Sequence, residues 1–238
     1  KKASLANVTT DRSFGLPQFR DSGYSLDQAA GNALDPSVTQ TLGLHMATNR
    51  KTSVDKLCLI VSKSEIPAAY TKTQVIHVLR TLRQLDHVNI LRFYEAYEDS
   101  QSLYLMFESH PCTSLLAVLE EHCWTQEQMV SVVRECCAAF AYAGSLNVYH
   151  IGMTLSHILL PKSALKDPAV SKVFGFGMIG YLIANDNDVR CWAPAAVDNY
   201  KKYGSNFVMR MDAKTKIGCD NWSVGAVVYS VVAHRPPV

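Results

Sequence analysis

Apolar residues in the first half of the chain follow the spacing of strands at some points and of a helix at another. A β-rich run covers residues 57–62, and two more strand candidates cover residues 91–97 and 102–107. The polar residues 98–101 predict a hairpin connection between the last two. One helix with a single buried face is predicted by apolar residues three and four positions apart, namely Val75, Val78, Leu79, Leu82 and Leu85.

The pattern changes after Pro111 and predicts helices. Residues 114–121 form a short one, and Thr125 with Gln128 matches a capping box that opens a longer helix. We expect its buried stripe to contain Met129, Val133, Cys136, Cys137 and Phe140. A loop region is predicted from there to about residue 218, with a last helix starting near Asp220. Strands followed by helices predict an α+β fold, in which a small β-rich lobe joins a helical lobe near residues 109–111.

The first 40 residues are polar and rich in turn-forming residues, without a sustained period. They predict an extension that wraps around the fold rather than a separate domain. The resulting division is an N-terminal extension over residues 1–40, an N-lobe over residues 41–109 and a C-lobe over residues 110–238.

Composition narrows the classes of function. The 238 residues carry 23 Lys and Arg against 21 Asp and Glu, so the formal net charge is +2. A nearly neutral chain does not predict a nucleic-acid interface or an anionic membrane surface. No run reaches the roughly 18 apolar residues of a membrane span. Seven cysteines without a C-x-x-C pair favour reduced thiols and a cytoplasmic or other intracellular location. A signal peptide removed before Lys1 would leave secretion open.

Five motifs in a fixed order carry a resemblance to a known family. Residues 82–108 (LRQLDHVNIL, then FYEAYED and LYLMFE) resemble the end of helix C and strands 4 and 5 of a Ser/Thr protein kinase. Residues 150–160 (HIGMTLSHILL) stand in place of the catalytic loop HRDLKPENILL, and residues 172–177 (KVFGFG) in place of K-V-x-D-F-G. Residues 192–195 (WAPA) resemble the A-P-E segment, and residues 220–225 (DNWSVG) the start of helix F.

The strongest resemblance is to the calcium/calmodulin-dependent and calcium-dependent protein kinases, over about residues 40–238. It implies a bilobal protein-kinase-like fold, with helix C in the small lobe and a helical C-lobe that stops after helix F, truncated or partly missing. It also implies that Asp220 hydrogen-bonds the backbone of the His150 loop.

The charged residues of phosphoryl transfer are missing from the matching positions. The strand-3 lysine falls on Ile60, in the A-x-K position Cys58-Leu59-Ile60, and its glutamate partner on helix C falls on Val78. Two apolar residues thus replace an ion pair, which leaves no charge unpaired and indicates an accommodated loss.

The catalytic loop and the metal site lack their charges as well. The catalytic aspartate falls on Gly152, the loop lysine on Thr154, the metal-binding asparagine on His157 and the D-F-G aspartate on Gly175. Without carboxylates, Mg²⁺ has little to hold it, and imidazole is a poor ligand for it. We therefore expect no intact catalytic residue and no metal site.

The nucleotide site is weakened too. Residues 42–48 align with L-G-x-G-x-x-G but keep only Gly43, the first glycine. The resemblance assigns nucleotide binding to Gly43, Phe107, Glu108 and Ser109, where Phe107 either narrows the cleft at the gatekeeper edge or is a plain core aromatic. ATP and Mg are cofactors that the family implies, and the residues themselves predict none.

Several residues admit two interpretations. Lys63 either replaces the missing lysine or is a solvated lysine at a strand end, and the second is favoured. Asp186 and Asp188 suggest a calcium loop but lack its glycine and glutamate, so a solvated turn is favoured. His110 and His122 are expected at the surface or in caps.

The favoured function is that of a catalytically impaired kinase-like domain, a pseudokinase, that acts in signalling by binding a protein such as an active kinase or its substrate. The alternative is a divergent Ser/Thr kinase that keeps ATP binding and slow transfer through Lys63 and Asp186. A third option is a different small molecule in a more apolar cleft. A related hypothesis is that residues 1–40 fill that cleft.

Overall fold

A computed structural model describes residues 12–26, 34–68, 70–109, 111–121, 125–161, 170–178, 182 and 190–235. The N-terminal part contains β1 (Tyr24–Leu26), α1 (Pro36–Leu42), β2 (Leu44–Asn49), β3 (Asp55–Ser62), α2 (Lys72–Gln84), β4 (Phe93–Glu98) and β5 (Ser102–Phe107). Its strands form one antiparallel sheet in the order β1-β2-β3-β5-β4.

The C-terminal part is mainly helical. It contains β6 (Cys112–Ser114), α3 (Leu115–Glu121), α4 (Gln126–Ser145), β7 (Ile158–Pro161), β8 (Lys172–Val173), α5 (Pro194–Tyr203), α6 (Phe207–Arg210) and α7 (Ala213–Ala233). The short strands β6, β7 and β8 form a second antiparallel sheet in that order. The two parts are joined beside β8, where the Leu91 N–H donates to the Val173 carbonyl at 3.0 Å.

Helix α2 matches the predicted amphipathic pattern. It begins with a capping box, in which the Thr71 hydroxyl accepts from the Gln74 N–H at 3.3 Å and the Gln74 side chain accepts from the Thr71 N–H at 2.8 Å. Its predicted apolar residues are buried, as is Leu85 just beyond its end. The helix therefore packs on the sheet through the face that the periodicity indicated.

Strand β3 presents two different faces. Leu57, Leu59 and Val61 belong to the main core, which also contains the buried face of α2. Cys58 belongs to a separate cluster on the opposite face of the sheet, and the half-buried Ile60 packs against that cluster. Successive side chains of a strand point to opposite faces, so Leu59 and Ile60 cannot both face α2.

Residues 19–26 of the N-terminal segment pack with the cluster on the face of the sheet away from α2. Strand β1 pairs with β2 in antiparallel register, with Tyr24 opposite Asn49. Ahead of it, the Phe19 ring stacks on Tyr104 with 3.9 Å between ring centroids. Residues 19–26 therefore add a strand and aromatic packing to the small lobe.

Helix α1 was not predicted, because the first 40 residues were expected to be turn-rich. Its sequence nevertheless contains helix signals: Pro36 occupies the first position, and Val38 and Leu42 lie four residues apart on one face. Gly43 follows with φ +67°, and its N–H donates to the Thr39 carbonyl at 3.0 Å. The helix packs against β2, β6 and the turn Leu155–His157.

The large lobe departs from the predicted pattern in three ways. Helix α4 begins with the predicted capping box, but its buried stripe is Val132, Cys136, Ala139 and Ala143, whereas Cys137 is exposed. The predicted loop region contains β7, β8, α5 and α6. Helix α7 begins at Ala213 rather than near Asp220, because the Asp212 carboxylate caps it by accepting from the Thr215 N–H at 2.7 Å.

No helix in the described ranges is long and apolar enough to cross a bilayer. Six of the seven cysteines lie in those ranges, and all six are free thiols.

The assignment of faces in β3 predicts unequal effects of two neighbouring truncations. Leu59→Ala removes a core side chain and should lower the free energy of unfolding by about 2–5 kcal/mol. Ile60→Ala removes a half-buried side chain and should cost no more than about half as much. Urea unfolding of both variants measures the difference, and a larger loss for Ile60→Ala would place the strand one residue out of register.

Candidate functional site between the lobes

Helix α1 occupies the space between the two lobes. Its neighbours are β2 from the small lobe and, from the large lobe, β6 and the turn Leu155–His157. The buried side chains Leu34, Val38 and Leu42 belong to the main core, and the Asp35 N–H donates to the Cys112 carbonyl at 3.1 Å. The segment that leads from β1 to β2 therefore places a packed helix between elements of both lobes.

The loop that corresponds to the catalytic loop is held by Asp220. The Asp220 carboxylate accepts from the His150 N–H at 3.0 Å and from the Ile151 N–H at 2.7 Å. Ile151 has φ +71°, a strained conformation for a β-branched residue, which these bonds help to hold. The expectation from the resemblance is confirmed. Burial outweighs the two backbone hydrogen bonds and raises the pKa of Asp220 to about 7.

Gly152, at the position of the catalytic aspartate, faces the indole of Trp192. A Cβ at residue 152 would lie 2.9 Å from Trp192 Cζ2 and 3.1 Å from Trp192 Nε1. Real Cβ atoms almost never come so close to another atom, and the indole is itself held by stacking on Phe207 at 5.7 Å between centroids. The space that an aspartate side chain would need is therefore already filled.

Gly175, at the position of the D-F-G aspartate, is enclosed in the same way. A Cβ there would lie 2.9 Å from His150 Nε2 and 3.3 Å from His157 Cδ2, and φ is +109°. His150 Nε2 donates to the Phe174 carbonyl at 2.8 Å, since only the ring nitrogen can donate in this pair. Burial, aided by the neighbouring His157, lowers the pKa of His150 to about 3, so that the ring is neutral at pH 7.

Thr154 and His157, at the positions of the loop lysine and the metal-binding asparagine, are buried and bind each other. His157 Nδ1 accepts from the Thr154 N–H at 3.1 Å and from the Thr154 hydroxyl at 3.0 Å. The His157 ring packs edge-on against His150 at 4.9 Å. The lone pair of Nδ1 is therefore used inside the loop and is not presented to a ligand.

The two residues at the positions of the family's ion pair, Val78 and Ile60, lie on different sides of the sheet. Val78 is buried on the core face of α2, as the alignment implies for a residue facing strand β3. Ile60 lies on the opposite face of the sheet, whereas its neighbour Leu59, like Leu57 and Val61, shares the core cluster of Val78. Whether the position of the strand-3 lysine is assigned to Ile60 or, one residue earlier, to Leu59, it holds an apolar side chain.

The four residues assigned to nucleotide binding have structural roles or are exposed. Gly43 follows the last residue of α1. It packs against Leu59, since a Cβ at residue 43 would lie 3.6 Å from Leu59 Cδ1. Phe107 is a core aromatic, edge-on to Phe174 at 5.4 Å. The Glu108 carboxylate joins the lobes through Lys172 Nζ at 2.8 Å, whereas Ser109 is exposed.

Lys63 is neither solvated nor directed toward the cleft. It is buried, and its ammonium binds the Glu98 carboxylate at 2.8 Å and the Asp99 carbonyl at 2.5 Å. The expectation of a solvated lysine is wrong, because the turn after β4 and the N-terminal segment cover the end of β3. These contacts hold the ammonium at the end of β3, beside Glu98 and Asp99.

The residues present do not fit a Mg²⁺–nucleotide complex. Gly152 and Gly175 supply no carboxylate, and the described residues contain no cluster of three or more His, Cys, Asp or Glu side chains that could hold a metal ion. Asp186, Asp188, His110 and His122 lie outside the described residues. The oxygen ligands that Mg²⁺ prefers are therefore not supplied at residues 152 and 175.

A cavity of about 290 Å³ lies away from α1, between α2, the loop before His150 and the start of α7. Its walls include the apolar Val78 and Val148 and the polar His77 and Lys216. Helix α1 contributes no residue to its lining, so this space lies open beside α2.

Two features of the site were missed by sequence reasoning. Trp192 was noticed only as part of the A-P-E-like segment, and nothing in a linear sequence indicates that its ring reaches Gly152. Helix α1 did leave a signal, because Asp35-Pro36 before Val38 and Leu42, with Gly43 after them, is a start and stop pattern for a short helix.

Comparison with known proteins identifies the architecture. The protein kinase domain family matches residues 43–238. Calcium-dependent protein kinase 5 of Plasmodium berghei is 26% identical over 192 residues, which cover 80% of this chain and 32% of that protein. The cell cycle serine/threonine-protein kinase CDC5/MSD2 of Saccharomyces cerevisiae is 24% identical over 178 residues, which cover 74% of this chain and 24% of that protein.

A crystal structure of Rad53 1-466 in complex with AMP-PNP superposes with a TM-score of 0.64 at 22% identity, and covers 82% of this chain and 45% of that one. At this identity the likeness shows the fold alone. The bilobal α+β kinase fold and the resemblance to Ser/Thr kinases, calcium-dependent ones included, are confirmed. The chain spans between about a quarter and a third of the length of these two curated relatives.

The contact between Gly152 and Trp192 predicts that even a methyl group is costly at residue 152. Gly152→Ala should lower the free energy of unfolding by about 1–3 kcal/mol, because the indole must move. Gly144→Ala is the matched control: no atom lies within 4 Å of a Cβ at that helical position. It should raise stability by about 0.5–1 kcal/mol. Denaturant unfolding measures both, and a neutral Gly152→Ala would mean that the indole does not fill the position.

Burial of a neutral His150 predicts a pH-dependent contribution to stability. The folded-state pKa of about 3 lies below the ordinary value of 6.5, so the unfolded chain binds the proton first as the pH falls. The stability advantage of the wild type over His150→Gln should be constant above about pH 6.5 and shrink progressively toward pH 3. Unfolding of both proteins across this range tests it, and an advantage that grows on acidification would contradict a buried neutral ring.

Proposed function

Because this chain belongs to the protein kinase family, and because helix α1 fills the space between its lobes, we propose that it is a pseudokinase, which binds other proteins and does not transfer phosphate. The packing of α1 is the observation that carries the proposal. Leu34, Val38 and Leu42 are buried in the same core as Leu59 and Phe107, so a nucleotide would have to displace a packed helix. Opening such a core costs several kcal/mol before any ligand contact forms.

The chemistry of the filled site supports the same conclusion. Phosphoryl transfer depends on positioning and on cancelling phosphate charge. The positions of the two family aspartates are Gly152 and Gly175, and Trp192 and His150 take the space around them. Restoring a carboxylate at either glycine would therefore create a steric conflict before it created a metal ligand.

The scaffold that presents a surface to partners is retained. Asp220 still fixes the His150 loop, and α2 still packs on the sheet. A rigid fold without catalytic charges suits a protein that is recognised by its shape, and we infer that its partner is an active kinase or a substrate of one. We also propose an intracellular site of action, in keeping with free thiols at the described cysteines.

We retain the division into an N-terminal extension (residues 1–40), an N-lobe (residues 41–109) and a C-lobe (residues 110–238) as part of the proposal. Strand β1 and helix α1 give the extension a role in the lobes, because the first pairs with β2 and the second packs against β2 and β6.

The alternative is a divergent Ser/Thr kinase that binds ATP and transfers phosphate slowly. It draws on the family, whose members use ATP and Mg²⁺. It needs a cation near the phosphates, and Lys63 is the candidate that the sequence offers. The ion pair of Lys63 with Glu98 argues against that use, since breaking a buried pair costs about 3–5 kcal/mol.

A direct test combines nucleotide binding with transfer. Thermal unfolding of the wild type in millimolar Mg-ATP should give no saturable rise in Tm, because a ligand that binds only the folded state must raise it. Incubation with generic protein substrates should give no phosphate transfer above a buffer control.

Two lysine variants separate the alternatives. A divergent kinase would gain stability with Mg-ATP and transfer phosphate in its wild-type form. Its transfer would be abolished by Lys63→Met but not by Lys51→Met in the exposed β2–β3 turn. These results together would overturn the pseudokinase proposal. The Lys51 variant controls for a general loss of positive charge.

A further inference from the structure

A short N-terminal segment is bound to the small lobe through one buried carboxylate. We call residues 12–18 the strap. Glu98 Oε2 accepts from the Phe14 N–H at 2.9 Å, and Glu98 Oε1 accepts from the Gly15 N–H at 2.8 Å and from the Leu16 N–H at 3.0 Å. The positive φ of Gly15, +73°, belongs to the turn in which these three successive N–H groups converge. The strap therefore depends on the charge of Glu98.

Further contacts fix the strap, among them the Glu98 N–H, which donates to the Pro17 carbonyl at 2.9 Å. The Phe14 side chain is 1% exposed and belongs to the main core, together with Ile66 and Tyr70. The Arg12 guanidinium donates to the carbonyls of Ile66 at 2.8 Å and Pro67 at 3.1 Å, just ahead of α2. The strap thus joins the end of β4 to the connection that leads into α2.

The charge of Glu98 is balanced within a closed site. Its carboxylate is almost fully buried and pairs with Lys63. Burial acts to raise the pKa of Glu98, but Lys63, the strap N–H groups and the Ser13 hydroxyl together lower it, so the group stays ionised. Lys63 balances the one negative charge of Glu98, so a second negative charge beside the carboxylate would be left unbalanced.

Ser13 is an exposed residue at which a second negative charge could be placed next to Glu98. Its side chain is exposed, yet its hydroxyl donates to the buried Glu98 Oε1 at 3.0 Å. The same hydroxyl oxygen accepts from the Gly15 N–H at 3.3 Å, so an exposed residue is tied both to the strap and to a buried carboxylate. No other hydroxyl contacts Glu98 in the described residues.

We propose that Ser13 is a phosphorylation site and that its phosphate releases the strap from Glu98. The Ser13 oxygen attacks the γ-phosphorus of a nucleoside triphosphate bound to a separate, active kinase. The new O–P bond forms as the bond from the γ-phosphorus to the β–γ bridging oxygen breaks. The nucleoside diphosphate leaves, and the hydroxyl proton passes to a base of that kinase. The inference does not require this chain to be inactive.

Electrostatics gives the direction of the change. Phosphoserine has no hydroxyl proton to donate, and it places a charge of about −1.5 to −2 beside a carboxylate that water cannot reach. Of the nearby cations, Lys63 already binds Glu98 and the Asp99 carbonyl, and Arg12 already binds backbone carbonyls. Lys72, which lies against Gly15, is exposed and is screened by solvent. Repulsion from Glu98 therefore prevails.

Release would uncover an apolar site without unfolding the sheet. Strand β1 keeps its own pairing with β2, with Tyr24 opposite Asn49, so only the residues ahead of it need to leave. The position vacated by Phe14 would then lie open beside the connection into α2.

The experiment uses the full chain with phosphoserine incorporated at residue 13, and it follows amide hydrogen exchange at Phe14, Gly15 and Leu16. We expect exchange at these amides to be at least about tenfold faster than in the unmodified chain, since a tenfold change needs only about 1.4 kcal/mol of repulsion. Amides in β3 and β5 should keep their protection.

Two controls isolate the effect of charge at this place. Ser13→Ala removes the hydroxyl without adding charge and should speed exchange by less than the phosphate does. Phosphoserine at Ser64, an exposed residue whose hydroxyl bonds Ser62 rather than a carboxylate, should leave the strap amides unchanged. Unchanged or slower exchange with phosphoserine at residue 13, or equal acceleration in Ser13→Ala, would overturn the proposal.

Discussion

The two hydrogen bonds from the His150 and Ile151 backbone to the Asp220 carboxylate organise the large lobe. They hold Ile151 in a positive-φ conformation and fix where the loop from residue 150 to residue 157 runs. The position of that loop decides what surrounds Gly152 and Gly175, and therefore whether a carboxylate could exist there. A buried acid whose ionised form is costly is kept because these two N–H groups would otherwise be left without a partner in the core.

The remainder of the site follows from this fixed loop by simple packing. Once the family's charged side chains are replaced by Gly, Thr, Val and Leu or Ile, the interior must be filled by something else, since protein interiors are close-packed. Trp192 takes the space beside Gly152, His150 and His157 take the space beside Gly175, and helix α1 takes the space between the lobes. Uncharged side chains at these positions avoid the cost of burying isolated charges.

The small lobe uses charge differently. Its buried Lys63–Glu98 pair lies at the end of the sheet, away from the filled cleft, and it binds the N-terminal strap. A buried pair is poor support for stability by itself, but it is sensitive to any added charge. The phosphorylation proposed at Ser13 would act on this pair, because the Ser13 hydroxyl donates to the Glu98 carboxylate.

Motif order and hydrophobic period determined the two-lobed fold, the position and buried face of α2, the α4 capping box and the role of Asp220. These depend on neighbours in sequence or on a scaffold that many kinase sequences share. The sequence alone did not determine that Leu59 rather than Ile60 faces α2, because a one-residue shift in β3 leaves its apolar pattern almost unchanged while reversing its faces. It did not place Trp192 against Gly152, Lys63 against Glu98 or α1 between the lobes. Trp192 and Gly152, Lys63 and Glu98, and α1 and its large-lobe neighbour β6 are each more than 30 positions apart, and only the packed chain brings them together.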